Sequence, residues 1–526
     1  MGEIDTSVVG LLLDTHHMNI EGENLVSAVR TASDRLSLFD VADSNRRAVG
    51  RWHIPFLEIL RELDKTRYSN PFIVECTTAG QDPFTTMKGP GWYEQTVDEE
   101  QESIRELRRL EAVAQRGVTA VCYLLWRCYN PNTNVCKGGV MKGLVLSAQW
   151  EPRPGYEVSE FEKRTGKAVQ GFNVWRHPKL EMKDVPQPQP GPGEVLLKIH
   201  ACGVCGSDIH FYEHDSDDYI LYPGLTKFPA ILGHEFSGEI VEIGPGPEGK
   251  QFKVGDKVTA EEMVWCGHCR ACRDGFPNHC ANLEEIGFTI DGAMAEYIVV
   301  PAKLCWSIDS IFERYPDEET AWNVAATTEP TCVAYNGIFE RAGGFRPGAY
   351  VVVYGAGPIG LGAIQLSKAS GAAKVISFEV SGPRRELAKK VGADAVYNPI
   401  EVSPSEVVMD LTGGAGADLS VEAAGAPDKT IPEMEKTLAI NGKIAQIGRA
   451  ATRVPMYLED FQVRRGQLFG AQGHSGHAIF PSVIRMMGSG LIDNSKIITS
   501  TFPLAQALDA LEKATKREDG KIVIKP

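Results

Sequence analysis

Cys266, Cys269, Cys272 and Cys280 follow one another at C-x2-C-x2-C-x7-C spacing in the stretch WCGHCRACRDGFPNHC. The loops between them are too short to carry a core-facing periodicity, so these thiols are not core filling. Four thiolates this close can converge on one tetrahedral zinc ion, which favours sulfur in closed structural sites. Two other motifs flank the cluster, Gly-His-Glu at 233–235 and a Gly-x-Gly-x-x-Gly turn at 355–360. Together they point to zinc-dependent, nucleotide-linked redox chemistry.

The second constraint lies in VVVYGAGPIG. A β-branched strand runs straight into Gly355, Gly357 and Gly360, and an Ala- and Leu-rich segment follows. In that strand–turn–helix setting the glycines predict a dinucleotide-binding turn. Gly355 permits the tight turn, Gly357 lets the backbone approach a pyrophosphate, and Gly360 lets the helix pack closely on the strand. Pro358 and Ile359 open the helix, whose N-terminal amides would face the phosphates. The next strand, KVISFE, ends on Glu379, 19 residues beyond Gly360. A carboxylate there accepts hydrogen bonds from the adenosine ribose and repels a 2′-phosphate, so NAD is expected over NADP. Arg384 and Arg385 follow closely, either as solvated helix-start charge or as groups that soften this preference.

Composition removes other classes. The 526-residue chain has 54 basic and 69 acidic residues, a net charge of −15, which argues against a nucleic-acid partner. No apolar run approaches the roughly 20 residues that span a bilayer. Twelve cysteines are too dilute here for a secreted disulfide scaffold. A reduced, cytoplasmic protein with no membrane partner is expected.

Texture divides the chain. Residues 1–116 alternate short apolar strands (8–13, 36–41, 71–76) with amphipathic helices (about 23–33, 55–66 and 95–115), which predicts parallel pairing. Residues 117–140 lose periodicity and read as a linker. From Met141, short β-rich segments broken by Gly and Pro predict antiparallel strands in a small barrel or sandwich. Near residue 350 the βα alternation returns.

With ACGVCGSDIH at 201–210, GHE at 233–235 and TEPTCVAYN at 328–336, residues 141–526 resemble the zinc-containing medium-chain dehydrogenase/reductase family. The resemblance implies an α/β protein. A GroES-like β-barrel catalytic domain would span 141–334 with its zinc lobe at 260–285. A Rossmann NAD-binding domain would span 335–475, and 476–526 would return to the catalytic domain. It also implies that Cys205 and His234 bind a catalytic zinc, with Glu235 a ligand or a close carboxylate. The polyol branch of the family has a glutamate before proline where alcohol dehydrogenases have a third ligand cysteine, and Glu329 matches that position, which makes it a ligand of the same zinc. Ser207 matches the hydroxyl that relays the substrate proton, and His210 the imidazole that passes it outward. Two zinc ions per chain, NAD and a homo-oligomeric assembly follow from the same resemblance. Zinc as a Lewis acid lowers the pKa of a bound secondary alcohol, and needs an open coordination position to do so. Cys202 and Cys205 also spell C-x-x-C, but a thioredoxin-like pair needs a helix start, which SDIH argues against. Cys202 reads as a packed thiol.

YILYPGLTKFPAILGHEFSG (219–238) and FQVRRGQLFGAQGHSGHAIFP (461–481) resemble dehydrogenases of cyclic polyols and inososes, those acting on scyllo-inosose in inositol catabolism. This implies a small-molecule polyol substrate. Glu235, Glu329, His474 and Arg464 or Arg465 are candidate hydroxyl partners, the arginines reading also as surface salt bridges. His474 and His477 stand either at the substrate mouth or on a loop surface. Sorbitol, threonine and butanediol are the alternative substrates.

LLLDTHHMNIEGE (11–23), DVADSNRRAVGRWHIPF (40–56) and FIVECTTAG (72–80) resemble the C-terminal half of xylose-isomerase-like TIM-barrel sugar epimerases. The resemblance makes Asp14 and Glu75 two of four metal ligands, and His17 and Arg46 substrate contacts. However, Asp40 stands in the histidine position, and the strands that carry the first glutamate are absent. A partial TIM-barrel fragment is expected, either a fusion remnant without epimerase activity of its own or a half-barrel that pairs with a second copy.

Overall fold

The computed structural model describes residues 11–14, 36–41, 59, 72–74 and 139–526, except 247, 248, 250, 450 and 451. The chain divides into two units, Met1–Lys137 and Gly138–Pro526. In the first, the three expected strands form as Leu11–Asp14, Leu36–Val41 and Phe72–Val74. They pair in parallel in that order, with Asp14 opposite Asp40 in register. Parallel pairing needs crossovers, which is what the alternating texture provides. The expected positions His17, Arg46 and Glu75, the helices at 23–33 and 95–115, nearly all of 55–66 and the stretch 117–138 lie outside the described residues.

The second unit begins with antiparallel strands. Val140–Trp150 pairs with Trp175–Pro186 and with the short strand Ala230–Ile231. A seven-stranded sheet runs in the order Cys305–Ser307, Lys257–Ala260, Glu235–Ile243, Glu194–Gly203, Lys521–Lys525 and Ile498–Pro503, and Tyr297–Pro301 also pairs with Glu194–Gly203. The C-terminal strands thus return to the barrel. Alternation along Glu194–Gly203 buries Val195, Leu197 and Ile199 against Leu144, Phe236 and Ile298. That burial supplies the apolar stabilisation of the barrel.

Between these strands lies a six-stranded parallel sheet. Its order is Ala395–Tyr397, Lys374–Phe378, Tyr350–Tyr354, Ala417–Glu422, Leu438–Gln446 and Gln467–Gly470. The sequence order reverses at Tyr350–Tyr354, and a crevice outside the carboxyl ends of the strands at such a switch point is where doubly wound sheets bind ligands. Val351, Val352 and Val353 are fully buried, as a parallel strand covered on both faces requires. Among the described residues no helix is long and apolar enough to cross a membrane.

Candidate active site

A cavity of about 580 Å³ is lined from both sides, by Cys205, His234, Glu235 and Glu329 from the barrel region and by Gly357, Pro358 and Ile359 from the nucleotide turn. Cys205 caps the helix Gly206–Tyr212, and its amide donates to Asp208 Oδ2 at 2.9 Å. The other oxygen of Asp208 stands 4.0 Å from His234 Nδ1, so one fully buried carboxylate faces both Cys205 and His234. Glu235 opens the strand Glu235–Ile243 and is fully buried; Oε2 accepts from the Lys521 ammonium, while Oε1 has no partner. Gly203 faces it across the sheet, where a Cβ would overlap Glu235 Oε2.

The ligand atoms of Cys205, His234 and Glu235 lie within 4.8 Å of one another. Sulfur, imidazole nitrogen and a half-satisfied carboxylate together form a donor set that fits zinc, with room for an exchangeable fourth ligand on the cavity side. Burial opposes charge on His234, but Cys205, Asp208 and Glu329 outweigh it and hold the imidazole well above its ordinary value. A cation at this point would replace that proton. Burial likewise opposes the Lys521 ammonium, and the Glu235 carboxylate keeps it charged.

A second group lies beside the first. His474 Nε2 stands 2.8 Å from Glu262 Oε2 and 3.1 Å from Glu329 Oε1, and all three residues are buried. Burial would lower the imidazole, yet Glu329 and the hydrogen bonds to both carboxylates hold it up at about 10. Glu329 belongs to the helix Thr328–Tyr335 and groups with Glu262 and His474, next to rather than among the first three ligands.

In the cysteine lobe, the four sulfurs of Cys266, Cys269, Cys272 and Cys280 also lie within 4.8 Å of one another and none is in a disulfide. Backbone amides point at the sulfurs: Cys269 N to Cys266 Sγ at 3.4 Å, Ala281 N to Cys269 Sγ at 3.4 Å, and Cys266 N and Asn282 N to Cys280 Sγ at 3.3 Å. Hydrogen bonds of this kind favour thiolate. Those from backbone amides bring Cys269 down to about 6. A closed tetrahedral metal site fits this geometry.

The nucleotide turn fits a dinucleotide equally well. Gly355 has φ +90°, the left-handed region the turn needs. A Cβ on Gly360 would overlap the Gly355 carbonyl oxygen, so helix Pro358–Ala369 packs against the strand only without one. At Gly357 an added Cβ would meet only Arg384, at 3.7 Å, leaving the backbone open on that side. Glu379, directly after Lys374–Phe378, accepts from Ala356 N at 2.6 Å and Ser381 N at 2.8 Å, which ties the carboxylate to the turn.

Comparison with known proteins agrees with these features. The alcohol dehydrogenase GroES-like domain matches residues 191–310, the zinc-binding dehydrogenase domain 358–489, and the xylose isomerase-like TIM barrel 1–115. The scyllo-inosose 3-dehydrogenase of Thermotoga maritima is 45% identical over 382 residues, which is 71% of this chain and 96% of that protein. The chain belongs to the zinc-binding alcohol dehydrogenases. A solved Thermotoga maritima structure assigned to the alcohol dehydrogenases superposes with a TM-score of 0.70 at 43% identity, covering 73% of this chain and all of that one. A short chain alcohol dehydrogenase from Escherichia coli CFT073, complexed with NADH, gives 0.59 at 27% identity, over 74% of this chain and all of that one.

The remaining sequence candidates fall partly on the cavity and partly away from it. Arg464 donates to the Leu438 carbonyl at 3.0 Å and Arg465 ends the helix Leu458–Arg464 with φ 53°; neither lines the cavity. The arginines on the cavity wall are Arg384, Arg449 and Arg517. His474 lines the cavity, whereas His477 faces Glu340 at 3.6 Å outside it. A helix does start at Gly206, against the expectation from SDIH. The C-x-x-C pair still fails as a redox centre, because Cys202 is fully buried with its thiol directed at the Gly203 carbonyl. Arg384 lines the cavity and donates to Asp519 O at 2.9 Å, while Arg385 binds the Glu379 and Val380 carbonyls. Asp208, Lys521, Glu262, Glu285 and Arg449 went unread in the sequence. Asp208 lies within ACGVCGSDIH, three residues after Cys205, and Glu262 and Glu285 each close an acidic pair, in AEEM and LEEI; Lys521 and Arg449 carry no such signal.

Proposed function

We propose that this chain is an NAD-dependent dehydrogenase acting on a ring hydroxyl of a cyclic polyol or inosose. The observation that carries the reading is the 45% identity to a scyllo-inosose 3-dehydrogenase across 96% of that protein. The polar cavity wall, with Glu262, Glu285, Arg449 and His474 facing the Cys205 group, supports it.

We assign Cys205, His234 and Glu235 to hold the catalytic zinc, with Glu329 alongside, and the four lobe cysteines to hold a structural one. Zinc would supply the Lewis acidity that lowers a hydroxyl pKa, and a nicotinamide dinucleotide on the turn would accept the hydride. Ser207 Oγ is buried in the cavity without a partner, free to take the hydroxyl proton. His210 lies one turn further along the same helix, 3.9 Å from Glu213, which pairs with Arg517 at 2.9 Å. Burial and the nearby Arg517 lower the His210 imidazole, so it is neutral near pH 7 and able to receive that proton. The residues Ser207, His210 and Glu213 thus lead outward from the cavity.

The test is NADH formation by the purified, zinc-loaded chain against a panel of inososes, inositols, sorbitol, butanediol and L-threonine. The expected outcome is the highest kcat/KM with an inosose or inositol. A clear preference for a linear polyol or L-threonine would replace the substrate assignment, and a preference for NADP would overturn the role given to Glu379.

A further inference from the structure

Glu285 sits on the short strand Glu284–Glu285, paired in register with Met263 of Met263–Val264. Its backbone is fixed on both sides: its amide donates to Thr289 Oγ1 at 2.8 Å, and its carbonyl accepts from Phe288 N and Thr289 N at 3.1 and 2.8 Å. The next amide, Ile286 N, donates to Glu262 O at 3.1 Å. The side chain lines the cavity at only 5% exposure, and Oε2 has no hydrogen-bond partner.

An unpartnered buried carboxyl group on a rigid turn is costly unless something completes it. Burial, together with the neighbouring Glu262, raises its pKa to about 8 against the opposing charges of Arg449, His234 and His474. No neighbour donates to Oε2 in this arrangement. Glu262 is committed to His474 at 2.8 Å, and Arg449 donates to the Tyr222 hydroxyl at 2.6 Å. Arg449 reaches Tyr222 over Gly224, where a Cβ would overlap its guanidinium. The wall facing the Cys205 group therefore lacks a hydrogen-bond donor at one fixed point.

We infer that Glu285 binds a substrate hydroxyl remote from the reacting carbon and so selects polyhydroxylated rings over simple alcohols. This rests on the substrate class proposed above. A ring with several hydroxyls reaches Glu285 while another oxygen lies at Cys205, His234 and Glu235; a mono-alcohol leaves the carboxyl group bare. A site built to bond a hydroxyl discriminates strongly against a substrate that lacks it. Because the contact is remote from the reacting bond, its loss falls on KM more than on kcat.

The experiment compares the wild-type zinc-loaded chain with Glu285→Gln and Glu285→Leu, using scyllo-inosose, myo-inositol and cyclohexanol as substrates with NAD. Thermal midpoint and NAD binding are measured for each protein. The expected result is a fall of about 10- to 100-fold in the ratio of kcat/KM for the inosose or inositol over that for cyclohexanol in Glu285→Leu, the size of leaving a buried substrate hydroxyl unpaired. The fall should reside mainly in KM, and Glu285→Gln, which keeps an acceptor oxygen, should recover part of it. A merely structural role would lower the thermal midpoint and depress all substrates alike. That pattern, or an unchanged ratio in an active wild-type background, overturns the inference and leaves the parent reading standing. A wild-type protein inert toward inososes and inositols refutes the parent reading and this inference with it.

Discussion

Lys521→Met tests whether the buried ammonium is what balances the Glu235 carboxylate when metal has been chelated away. Lys521 is 1% exposed and makes two contacts, to the Val204 carbonyl at 3.0 Å and to Glu235 Oε2. Methionine fills much the same volume, so the change removes charge with little loss of packing. The Glu235 carboxylate, fully buried and with Oε1 already bare, is then left unpaired. Breaking one half of such a pair costs about 3–5 kcal/mol. The unit Gly138–Pro526 has roughly 390 residues. At about 2.1 cal/mol/K of unfolding entropy per residue, that cost lowers the thermal midpoint by about 4–6 °C. This drop is expected in chelator-treated protein. With zinc restored, the metal offers the same carboxylate a second cation, so the drop should shrink to less than about half. The double variant Lys521→Met/Glu235→Gln removes both charges and should melt above the single variant when chelated. Differential scanning fluorimetry with and without zinc reads all three. A single variant within about 1 °C of the wild type under chelation, or a double variant no better than the single, would refute the reasoning.

Cys205→Ser should remove one of the two metals proposed above, read by elemental analysis, and cut turnover by at least about 100-fold, with NAD binding intact. Cys269→Ser should instead lower stability by about 3 kcal/mol or more and release the other metal, while any folded fraction keeps its substrate preference. Gly360→Ala forces a Cβ into the Gly355 carbonyl and should cost about 1–3 kcal/mol of stability; nucleotide titration should show weaker NAD binding.

The parts of the site that the sequence exposed are local ones. Four cysteines within one loop, a strand running into three glycines, and Gly-His-Glu each carry their geometry in a few adjacent residues. Lys521 and Glu262 owe their roles to distant chain segments. Lys521 meets Glu235 across 286 positions, and His474 meets Glu262 across 212. No periodicity encodes such a meeting; only the return of the C-terminal strand to Glu194–Gly203 brings Lys521 in. Arg464 and Arg465 misled for the opposite reason. They stand near a recognisable stretch, yet helix Leu458–Arg464 ends there, and Arg464 is used to satisfy a carbonyl. The barrel–sheet architecture was legible because burial on one or both faces writes itself into strand composition. Which acids face the cavity was not, because Glu262 directly precedes the two-residue strand Met263–Val264 and Glu285 ends the two-residue strand Glu284–Glu285, both too short to show alternation.

Removal of residues 1–137 brings the same reasoning to the first unit. Every residue assigned to the dehydrogenase's zinc, nucleotide or polyol sites lies in Gly138–Pro526, and the scyllo-inosose relative is matched over 96% of its length by 71% of this chain. Among the described residues the first unit contributes three parallel strands, whereas a closed (β/α)8 barrel uses eight. Three strands leave two edges whose backbone groups need a partner. The truncated chain should therefore retain kcat/KM within about twofold of the full chain, with its thermal midpoint unchanged within about 2 °C. Full-length protein should show no ketose interconversion in the absence of NAD. Loss of dehydrogenase activity on truncation, with zinc content and solubility preserved, would show that the first unit contributes to the site.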